Sequence, residues 1–382
     1  MASHLFSPID LCSLRLANRI VVSPMCQYSA VDGCMTDWHL MHLGQLAVSG
    51  AGLLFVEATG VEPAGRITHG CTGLYSDENE AAMARVIAFC RAYGNARIGI
   101  QLGHAGRKAS SAAPWLGGRA LTADEGAWQT WSASDLPLDA DRPAPQALDE
   151  AGRARVKAAF VQSAERALRL GFDVIELHSA HGYLLHQFLS PLSNRRSDAY
   201  GGSLEGRMRF PLEVFEAVRA VWPAARPLGV RLSATDWLEG GWDLESSIAY
   251  VAALQERGCD FVDVSSGGLS PDQKIAIGPG YQVKFAAEIR RATQATVMSV
   301  GQILEPQQAE TIIASGQADM VALARGLLFD PRWPWHAAQA LGESAAFPPQ
   351  YQRAHASLKG DPTPRDLPPK GSLFLPALSD GG

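Results

Sequence analysis

The sequence has little charge and no excess of basic residues. Of its 382 residues 19% are charged, and the formal net charge is −6 at pH 7. A nucleic-acid-binding surface needs clustered lysine and arginine, so this balance argues against a nucleic-acid partner. Hydrophobic residues make up 47% of the chain, which argues against overall disorder and allows a large core.

The sequence also lacks paired cysteines and long apolar runs. Its six cysteines are scattered without a CxxC spacing, at Cys12, Cys26, Cys34, Cys71, Cys90 and Cys259. This pattern predicts neither a disulfide framework nor a zinc ribbon, and it favours a reducing compartment. The N-terminus has no basic stretch followed by an apolar one, and no apolar run reaches the roughly 18 residues of a membrane span. We therefore expect a cytoplasmic protein with no signal peptide and no contact with a membrane.

Eight short apolar runs alternate with amphipathic helical stretches. Most of the runs are continuously apolar, which is typical of parallel strands covered on both faces. This alternation favours an α/β fold, a single (β/α)8 TIM barrel over residues 1–343. A doubly wound sheet with a second domain is the alternative, but no GxGxxG follows the first run and no GxxxxGK[ST] occurs. The predicted strands are Arg19–Ser23, Gly52–Ala58, Ile98–Leu102, Val174–His178, Leu228–Leu232, Phe261–Ser265, Val297–Val300 and Met320–Ala324.

Helix starts and two regions outside the repeat can be predicted as well. Ser76, Asp149 and Asp243 stand where N-cap residues would begin three of the helices. A long insertion, Arg107–Leu148, separates the third strand from its helix, and segments of this length are either functional covers or surface elaborations. Residues 344–358 follow the barrel as a C-terminal segment. The Pro-, Gly- and Ser-rich residues 359–382 are expected to form a disordered tail.

Polar side chains stand at the carboxyl end of most predicted strands. In a TIM barrel the active site lies at this end. A single such residue is weak evidence, since a buried glutamine or arginine is often a satisfied core group. Polar groups at the same end of seven strands are not explained by core packing, so they predict an active site there. They are the segment Ser23–Tyr28, Glu57, Gln101, His104, His178, His181, Arg231, Gly301, Gln302 and Arg325.

Two histidines three residues apart, His178 and His181, follow the fourth strand. They can act as metal ligands, with Glu176 or Asp236 as a possible third ligand, although no HxH or HExxH pattern is present. They can instead donate two hydrogen bonds to a substrate oxygen that gains negative charge. Tyr183 is a phenol that can deliver a proton to the reacting substrate. The residues alone leave both interpretations open.

A second group of residues fits a phosphate. The loops after strands seven and eight of such barrels frequently bind one. Gly301 allows close approach of backbone amides, and Arg325 can clamp a phosphate with two hydrogen bonds. Arg231, at the end of strand five, suits a second electron-rich group. A phosphorylated, ring-shaped cofactor across the barrel mouth would use all of them.

These residues belong to motifs that resemble those of the Old Yellow Enzyme family of flavin-dependent ene-reductases. The match runs from about Leu5 to Arg353. Cys26 and the His–His pair point to the bacterial members similar to xenobiotic reductases and thermophilic-type ene-reductases. The motifs are SPMCQY at 23–28, EATGVEPAGR at 57–66, QLGHAGRKA at 101–109, ELHSAHGYLLHQFLSPLSNRRSDAYGGS at 176–203, GVRLSATDW at 229–237 and ALARGLLFDP at 322–331.

The resemblance implies non-covalent FMN over the barrel mouth. Gly301, Ala324 and Arg325 would hold its phosphate, although close relatives usually have glycine where Ala324 stands. Arg231 would lie at the pyrimidine end of the isoalloxazine. The other residues lining this ring would be Ser23, Pro24, Met25, Cys26, Ala58 and Gln101.

The resemblance also implies the reaction. NADPH or NADH would reduce FMN, which then passes hydride to the β-carbon of an α,β-unsaturated carbonyl compound or reduces a nitro compound. His178 and His181 would hold the carbonyl oxygen and Tyr183 would protonate the α-carbon, with Tyr28 helping to bind the substrate. Arg353 would bind substrate from a neighbouring subunit, implying a homodimer or homotetramer. The alternatives are a metal-dependent barrel hydrolase and a flavin-binding barrel without catalysis.

Overall fold

Eight parallel strands close into a barrel in the computed structural model, which describes residues 2–355. Each strand pairs with the next along the chain, and the last pairs with the first. The predicted strands and the TIM-barrel class are confirmed, whereas the expected disordered tail lies outside the described residues. The strands are β1 (Ile20–Val22), β2 (Leu53–Gly60), β3 (Arg97–Gly103), β4 (Val174–Ser179), β5 (Leu228–Ser233), β6 (Phe261–Ser265), β7 (Val297–Val300) and β8 (Met320–Leu323).

Large and small residues interdigitate in the amino-terminal half of the barrel. The Phe55 and Phe261 rings lie with their centroids 6.3 Å apart. A Cβ at Gly99 would come within 2.5 Å of the Phe55 ring, and one at Gly229 within 2.4 Å of the Phe261 ring. Glycine at both positions therefore makes room for the two aromatic rings, as alternating side-chain size does in small barrels. An antiparallel hairpin, Ile9–Leu11 and Leu14–Leu16, packs against the same apolar cluster.

The helices begin where the sequence places their caps. The Ser76, Asp149 and Asp243 side chains each accept a hydrogen bond from the backbone N–H three residues on, which satisfies an otherwise unpaired donor. These three N-caps are confirmed. Within residues 2–355 the α-helices are α1 (Asp37–Ala47), α2 (Asp77–Tyr93), α3 (Glu150–Arg169), α4 (Leu184–Leu189), α5 (Leu204–Val221), α6 (Leu244–Gln255), α7 (Val283–Thr293), α8 (Pro306–Ala314), α9 (Arg325–Phe329) and α10 (Trp333–Leu341).

The insertion between β3 and α3 lies beside the carboxyl end of the barrel. Its anchor is the buried guanidinium of Arg107, which donates to the carbonyl oxygens of Leu136, Pro137 and Leu269 at 3.0–3.2 Å. Leu269 belongs to the loop after β6, so this one side chain ties the insertion to the barrel mouth. Nearer the tip, the Trp115 ring meets Tyr28 edge-on, with ring centroids 5.9 Å apart.

None of the helices described between residues 2 and 355 has the length and apolar character needed to cross a membrane. The C-terminal segment is described as far as His355 and contains a short 3-10 helix at Pro349–Tyr351. Its separation from the barrel as a distinct unit stays a prediction.

Candidate active site

A cavity of about 350 Å³ opens at the carboxyl end of the barrel, between the loops after β7 and β8. It extends from the exposed Arg325 at its rim to the half-buried His181 and the buried Arg231. Six of the residues singled out in the sequence therefore share one cavity. They are His181, Arg231, Gly301, Gln302, Ala324 and Arg325.

The wall after β7 needs a glycine. Gly301 has φ +129, which side chains rarely adopt, and a Cβ there would come within 2.8 Å of Gln282 Nε2. Gln302 follows with φ 49. The missing side chain leaves the Gly301 backbone uncovered, and the predicted role of Gly301 in allowing close approach fits this conformation.

A buried polar group lies deeper in the barrel. Gln101 Nε2 donates to Glu176 Oε1 at 2.7 Å, and Arg231 Nε lies 3.0 Å from Asp263 Oδ2. The Arg231–Asp263 contact is an ion pair without good hydrogen-bond alignment, because Arg231 Nε and both Asp263 oxygens have no hydrogen-bond partner. Glu176 Oε2 and Ser23 Oγ are also buried without one. Burying polar atoms without a hydrogen-bond partner is energetically unfavourable, so these atoms indicate a binding site for a ligand with several polar groups.

The two buried carboxyls share a single guanidinium. Burial and the neighbouring Asp263 raise the pKa of Glu176, while Arg231 opposes this shift. Burial likewise raises the pKa of Asp263. Sequence reasoning considered Glu176 only as a metal ligand and missed Asp263. A charged residue inside the apolar run FVDVS was the available signal.

The segment Ser23–Tyr28 forms the wall after β1. Tyr28 has a left-handed backbone, φ 51, and its neighbour Cys26 is partly exposed. Burial, then the nearby Glu57 carboxylate, raises the pKa of the Cys26 thiol well above its usual range, so the thiol is neutral. Ala58 lies opposite, at a break in the register between β2 and β3.

His178, His181 and Tyr183 lie together at the end of β4. The His178 ring centroid is 5.1 Å from that of His181 and 4.7 Å from that of Tyr183, both edge-on. His178 Nδ1 accepts a hydrogen bond from the Ala180 backbone N–H at 3.2 Å. The ring hydrogen is therefore on Nε2, where it is available to a ligand.

The second histidine is oriented differently. His181 Nε2 and Ser265 Oγ are 2.7 Å apart, and Ser265 in turn donates to Gln282 Oε1 at 3.4 Å. His181 is thus the donor to Ser265. The two rings are adjacent, but their N–H groups do not share one acceptor here, and a common substrate oxygen stays a prediction.

All three side chains are neutral. Burial, followed by the Arg231 charge, lowers the pKa of His178 and of His181 well below 6.5. Burial raises the pKa of Tyr183 well above 10. The site therefore offers uncharged N–H and O–H donors over the whole physiological range of pH.

Lys108 is a further member that sequence reasoning missed. Its ammonium donates to the carbonyl oxygens of His181 and Gly268, both at 2.9 Å, and lies 5.2 Å from the centroid of the Tyr183 ring. Burial, with help from Arg142 and Arg107, lowers its pKa to about 8. The motif HAGRKA contained it, but nothing in the spacing predicts contact with the β4 loop.

The residues suggested as extra metal ligands are engaged elsewhere. Asp236 lies 3.0 Å from His186 and accepts hydrogen bonds from Ser190 Oγ and the Trp242 backbone. Glu176 accepts from Gln101. In the described part of the chain no three His, Cys, Asp or Glu side chains are grouped as a metal site.

Arg353 is not brought to this site within one chain. It is exposed in the segment after the 3-10 helix. The nearby Gln350 and Tyr351 line a different, apolar cavity of about 400 Å³ against α1. The sequence-based role of Arg353 thus requires a second subunit.

Comparison with known proteins identifies the family of this chain. The family model for the NADH:flavin oxidoreductase / NADH oxidase family matches residues 4–343. The chain belongs to this family. The resemblance to Old Yellow Enzymes drawn from the sequence motifs is thereby confirmed.

Individual family members are similar over nearly their whole length. An NADPH dehydrogenase of Geobacillus thermodenitrificans (strain NG80-2) is 43% identical over 355 residues, covering 92% of this chain and 99% of the relative. A structure of morphinone reductase has a TM-score of 0.74 at 28% identity, covering 95% of this chain and 94% of that one. Morphinone reductase in complex with tetrahydroNAD has a TM-score of 0.73, also at 28% identity, with 95% and 96% coverage. This family member is accordingly an NAD(P)H-dependent flavin oxidoreductase that binds FMN.

Proposed function

We propose that this flavin oxidoreductase is an ene-reductase for α,β-unsaturated carbonyl compounds, with nitro compounds as further substrates. The observation that carries the proposal is the neutral cluster of His178, His181 and Tyr183 beside the cavity. When hydride arrives at the β-carbon, the carbonyl oxygen needs hydrogen-bond donors and the α-carbon needs a proton. Two imidazole N–H groups can supply the hydrogen bonds, and a phenol can supply the proton.

The residues fit non-covalent FMN. Gly301, Ala324 and Arg325 would hold the phosphate at the rim of the cavity, and Arg231, which lines the same cavity, would hold the pyrimidine end. FMN bound there supplies the hydride-transfer chemistry. The remaining wall of its ring system would consist of Ser23, Pro24, Met25, Cys26, Ala58 and Gln101.

The histidines act on charge that develops during the reaction. A carbonyl oxygen gains negative charge as hydride reaches the β-carbon, so hydrogen bonds from His178 and His181 strengthen in the transition state. Burial, and after it the Arg231 charge, keeps both rings neutral, because each disfavours an imidazolium. A neutral donor at this position loses no proton to the substrate oxygen, and the proton for the α-carbon comes from Tyr183.

Tyr183 is held in place as the acid. Its ring lies between the His178 ring and the Lys108 ammonium, and it forms the N-terminal cap position of α4. Burial keeps the phenol protonated. The Lys108 charge favours the phenolate that remains after proton transfer, while Tyr28 would contact the substrate.

Relatives support the choice of reductant. The Geobacillus relative is an NADPH dehydrogenase, and morphinone reductase is known with tetrahydroNAD bound. We propose that NADPH, and secondarily NADH, enters the same cavity as the enone and leaves before it. A shared cavity accounts for the missing GxGxxG motif.

The reaction is tested by anaerobic half-reactions. We expect the purified protein to be yellow, NADPH to bleach the flavin absorbance near 450 nm, and 2-cyclohexenone to restore it. The measurement is stopped-flow absorbance, with NADH and a nitro compound as parallel arms.

Each other outcome points to an alternative. Flavin that is bleached but not restored by any enone or nitro compound would identify a flavin-binding barrel with another electron acceptor. A colourless protein whose hydrolytic activity is lost with chelator would identify the metal-dependent hydrolase and overturn the proposal.

We propose in addition that the enzyme is a homodimer in which Arg353 binds substrate in the partner's site. Arg353 is exposed and does not line the cavity of its own chain, and α1 carries an exposed apolar surface beside the same segment. Trp38 is 49% and Met41 48% exposed, and a homodimer would bury such a surface.

Mixed dimers test this arrangement. We expect Arg353→Ala to raise the KM for enones with little change in kcat, and light scattering to give a dimer mass. Heterodimers of Arg353→Ala with a His178→Ala/His181→Ala chain should recover one site of normal KM, because the second chain supplies Arg353 to the intact histidines of the first. A KM that stays high in the mixture, or a monomer mass, would contradict the exchange.

A further inference from the structure

A buried carboxylate lies directly beneath the segment Cys26–Tyr28. Glu57 is 3% exposed, and its Oε2 accepts a hydrogen bond from the Gln27 backbone N–H at 2.9 Å. Gln27 is the residue between Cys26 and Tyr28. The backbone of this segment is thereby attached to β2, across the wall that the cofactor would contact.

The other oxygen of Glu57 has a fixed partner. His39, fully buried in α1, places Nε2 3.1 Å from Glu57 Oε1. His39 Nδ1 accepts the Thr36 backbone N–H at 3.0 Å, so the ring hydrogen is on Nε2 and is donated to Glu57. Thr36 Oγ1 also donates to the Ser29 carbonyl at 3.0 Å. Thr36, at the start of α1, is therefore bonded both to the His39 ring and to the residue that follows the segment.

Glu57 occupies a special point of its strand. The register between β2 and β3 shifts between Val56 and Thr59, and the Thr59 hydroxyl donates to the Glu57 carbonyl at 2.8 Å. Such a bulge redirects side chains next to active sites. Here it places Glu57 under the segment and its neighbour Ala58 on the cofactor-facing wall.

We propose that Glu57, held by His39, is a positioning residue that fixes the Cys26–Tyr28 segment against the flavin site. The inference deepens the proposed function, because the segment contains Cys26 at the flavin wall and Tyr28 at the substrate. Glu57 touches neither flavin nor substrate. It acts through the Gln27 N–H and through its charge.

The charge of Glu57 has a measurable consequence at Cys26. The groups that influence the thiol are Glu57, Cys71 and Tyr28, and Tyr183 faces the same cluster. Burial, followed by Glu57 and Cys71, raises the pKa of Cys26, whereas hydrogen bonds from the Ala58 backbone and from Tyr28 lower it. Removing the carboxylate charge should therefore lower the pKa of this thiol and increase its thiolate fraction.

Glu57→Gln tests both effects in the purified flavoprotein. We expect Cys26 to be alkylated by iodoacetamide at pH 8 faster than in the wild-type protein, because the thiolate is the reacting form and its fraction rises as the pKa of the thiol falls. Mass spectrometry of peptides reads Cys26 separately and uses the four cysteines outside the Glu57 cluster, Cys12, Cys34, Cys90 and Cys259, as internal references. We also expect a higher KM for 2-cyclohexenone, because an amide cannot accept from both Gln27 and His39.

Glu62→Gln is the matched control. Glu62 is another carboxylate paired with a buried histidine, His104, at 3.0 Å, but it does not contact the Cys26–Tyr28 segment. Alkylation of Cys26 should be unchanged in this variant. His39→Leu removes the donor to Glu57 and should raise the enone KM, whereas His39→Gln keeps a donor in the same place and should restore a normal value.

The outcomes separate this inference from the proposed function. Unchanged alkylation of Cys26 in Glu57→Gln together with an unchanged KM in His39→Leu would overturn the positioning role. If Glu57→Gln does not fold, the enone KM values of His39→Leu and His39→Gln test the positioning role instead. Equal KM values for these two variants would overturn it. If the wild-type protein does not reduce enones, the proposed function is wrong. The alkylation of Cys26 still tests the positioning role of Glu57, because that measurement requires no substrate.

Discussion

Replacing both His178 and His181 with alanine is expected to lower kcat/KM for 2-cyclohexenone by at least about 10³-fold while FMN stays bound. Loss of one preorganised oxyanion donor typically costs about 10²–10³-fold in kcat. The FMN phosphate and pyrimidine contacts proposed for Arg325 and Arg231 are untouched, so the flavin absorbance should persist. Steady-state kinetics and the flavin spectrum of the dialysed protein measure the two effects.

His336→Ala is the control for this double variant. His336 is an exposed histidine in α10 that pairs with Asp330 at the surface. It should leave kcat/KM unchanged. A double variant that reduces enones at the wild-type rate would refute the role of His178 and His181 as donors to the carbonyl oxygen.

Arg231→Met is expected to destabilise the protein by about 3–5 kcal/mol, the usual effect of removing one partner of a buried ion pair. Glu176 and Asp263 would then lie in the barrel without a cation, and the pKa of each would rise further. FMN affinity should also fall, by roughly ten- to a hundredfold for a lost charge-assisted hydrogen bond. Denaturant unfolding and flavin titration check the two predictions.

The pH dependence of this variant has a defined sign. A carboxyl whose pKa is higher in the folded than in the unfolded protein lowers the stability of the folded state as pH rises above the pKa of about 4 that the carboxyl has in the unfolded chain. The stability deficit of Arg231→Met should therefore be small near pH 5 and largest above pH 8. The double variant Arg231→Met/Asp263→Asn should recover stability without recovering FMN affinity. If Arg231→Met is equally destabilised at pH 5 and at pH 8, the unpaired buried carboxylates are not the cause of its lower stability.

The fold could be predicted because it depends on local patterns. Continuous apolar runs predicted all eight strands. Three helix starts were predicted from Ser76, Asp149 and Asp243, because an N-cap depends on residues only three positions apart. Motif likeness gave the family. The expected convergence of polar side chains at one barrel face follows from topology alone, because all parallel strands end there.

The partners of those side chains could not be predicted. Which residue faces Arg231 is set by the register of β5 against β6, which brings Asp263 beside it. The contact of Glu57 with Gln27 depends on a bulge in β2, and no recognisable sequence pattern predicts this bulge. His39 looks like an ordinary helical residue, and the hydrogen bond from His181 to Ser265 joins positions 84 residues apart.

The anchoring of the insertion by Arg107 divides it into two parts with different tolerance to change. Its base is tied to the barrel, but at its tip the space around Gly117 and Gly118 is open. Trp115, 67% exposed, lies at this tip against Tyr28. Substitutions and insertions at the tip should therefore have little effect on folding, while through Trp115 they would alter the surroundings of Tyr28, the residue proposed to bind substrate.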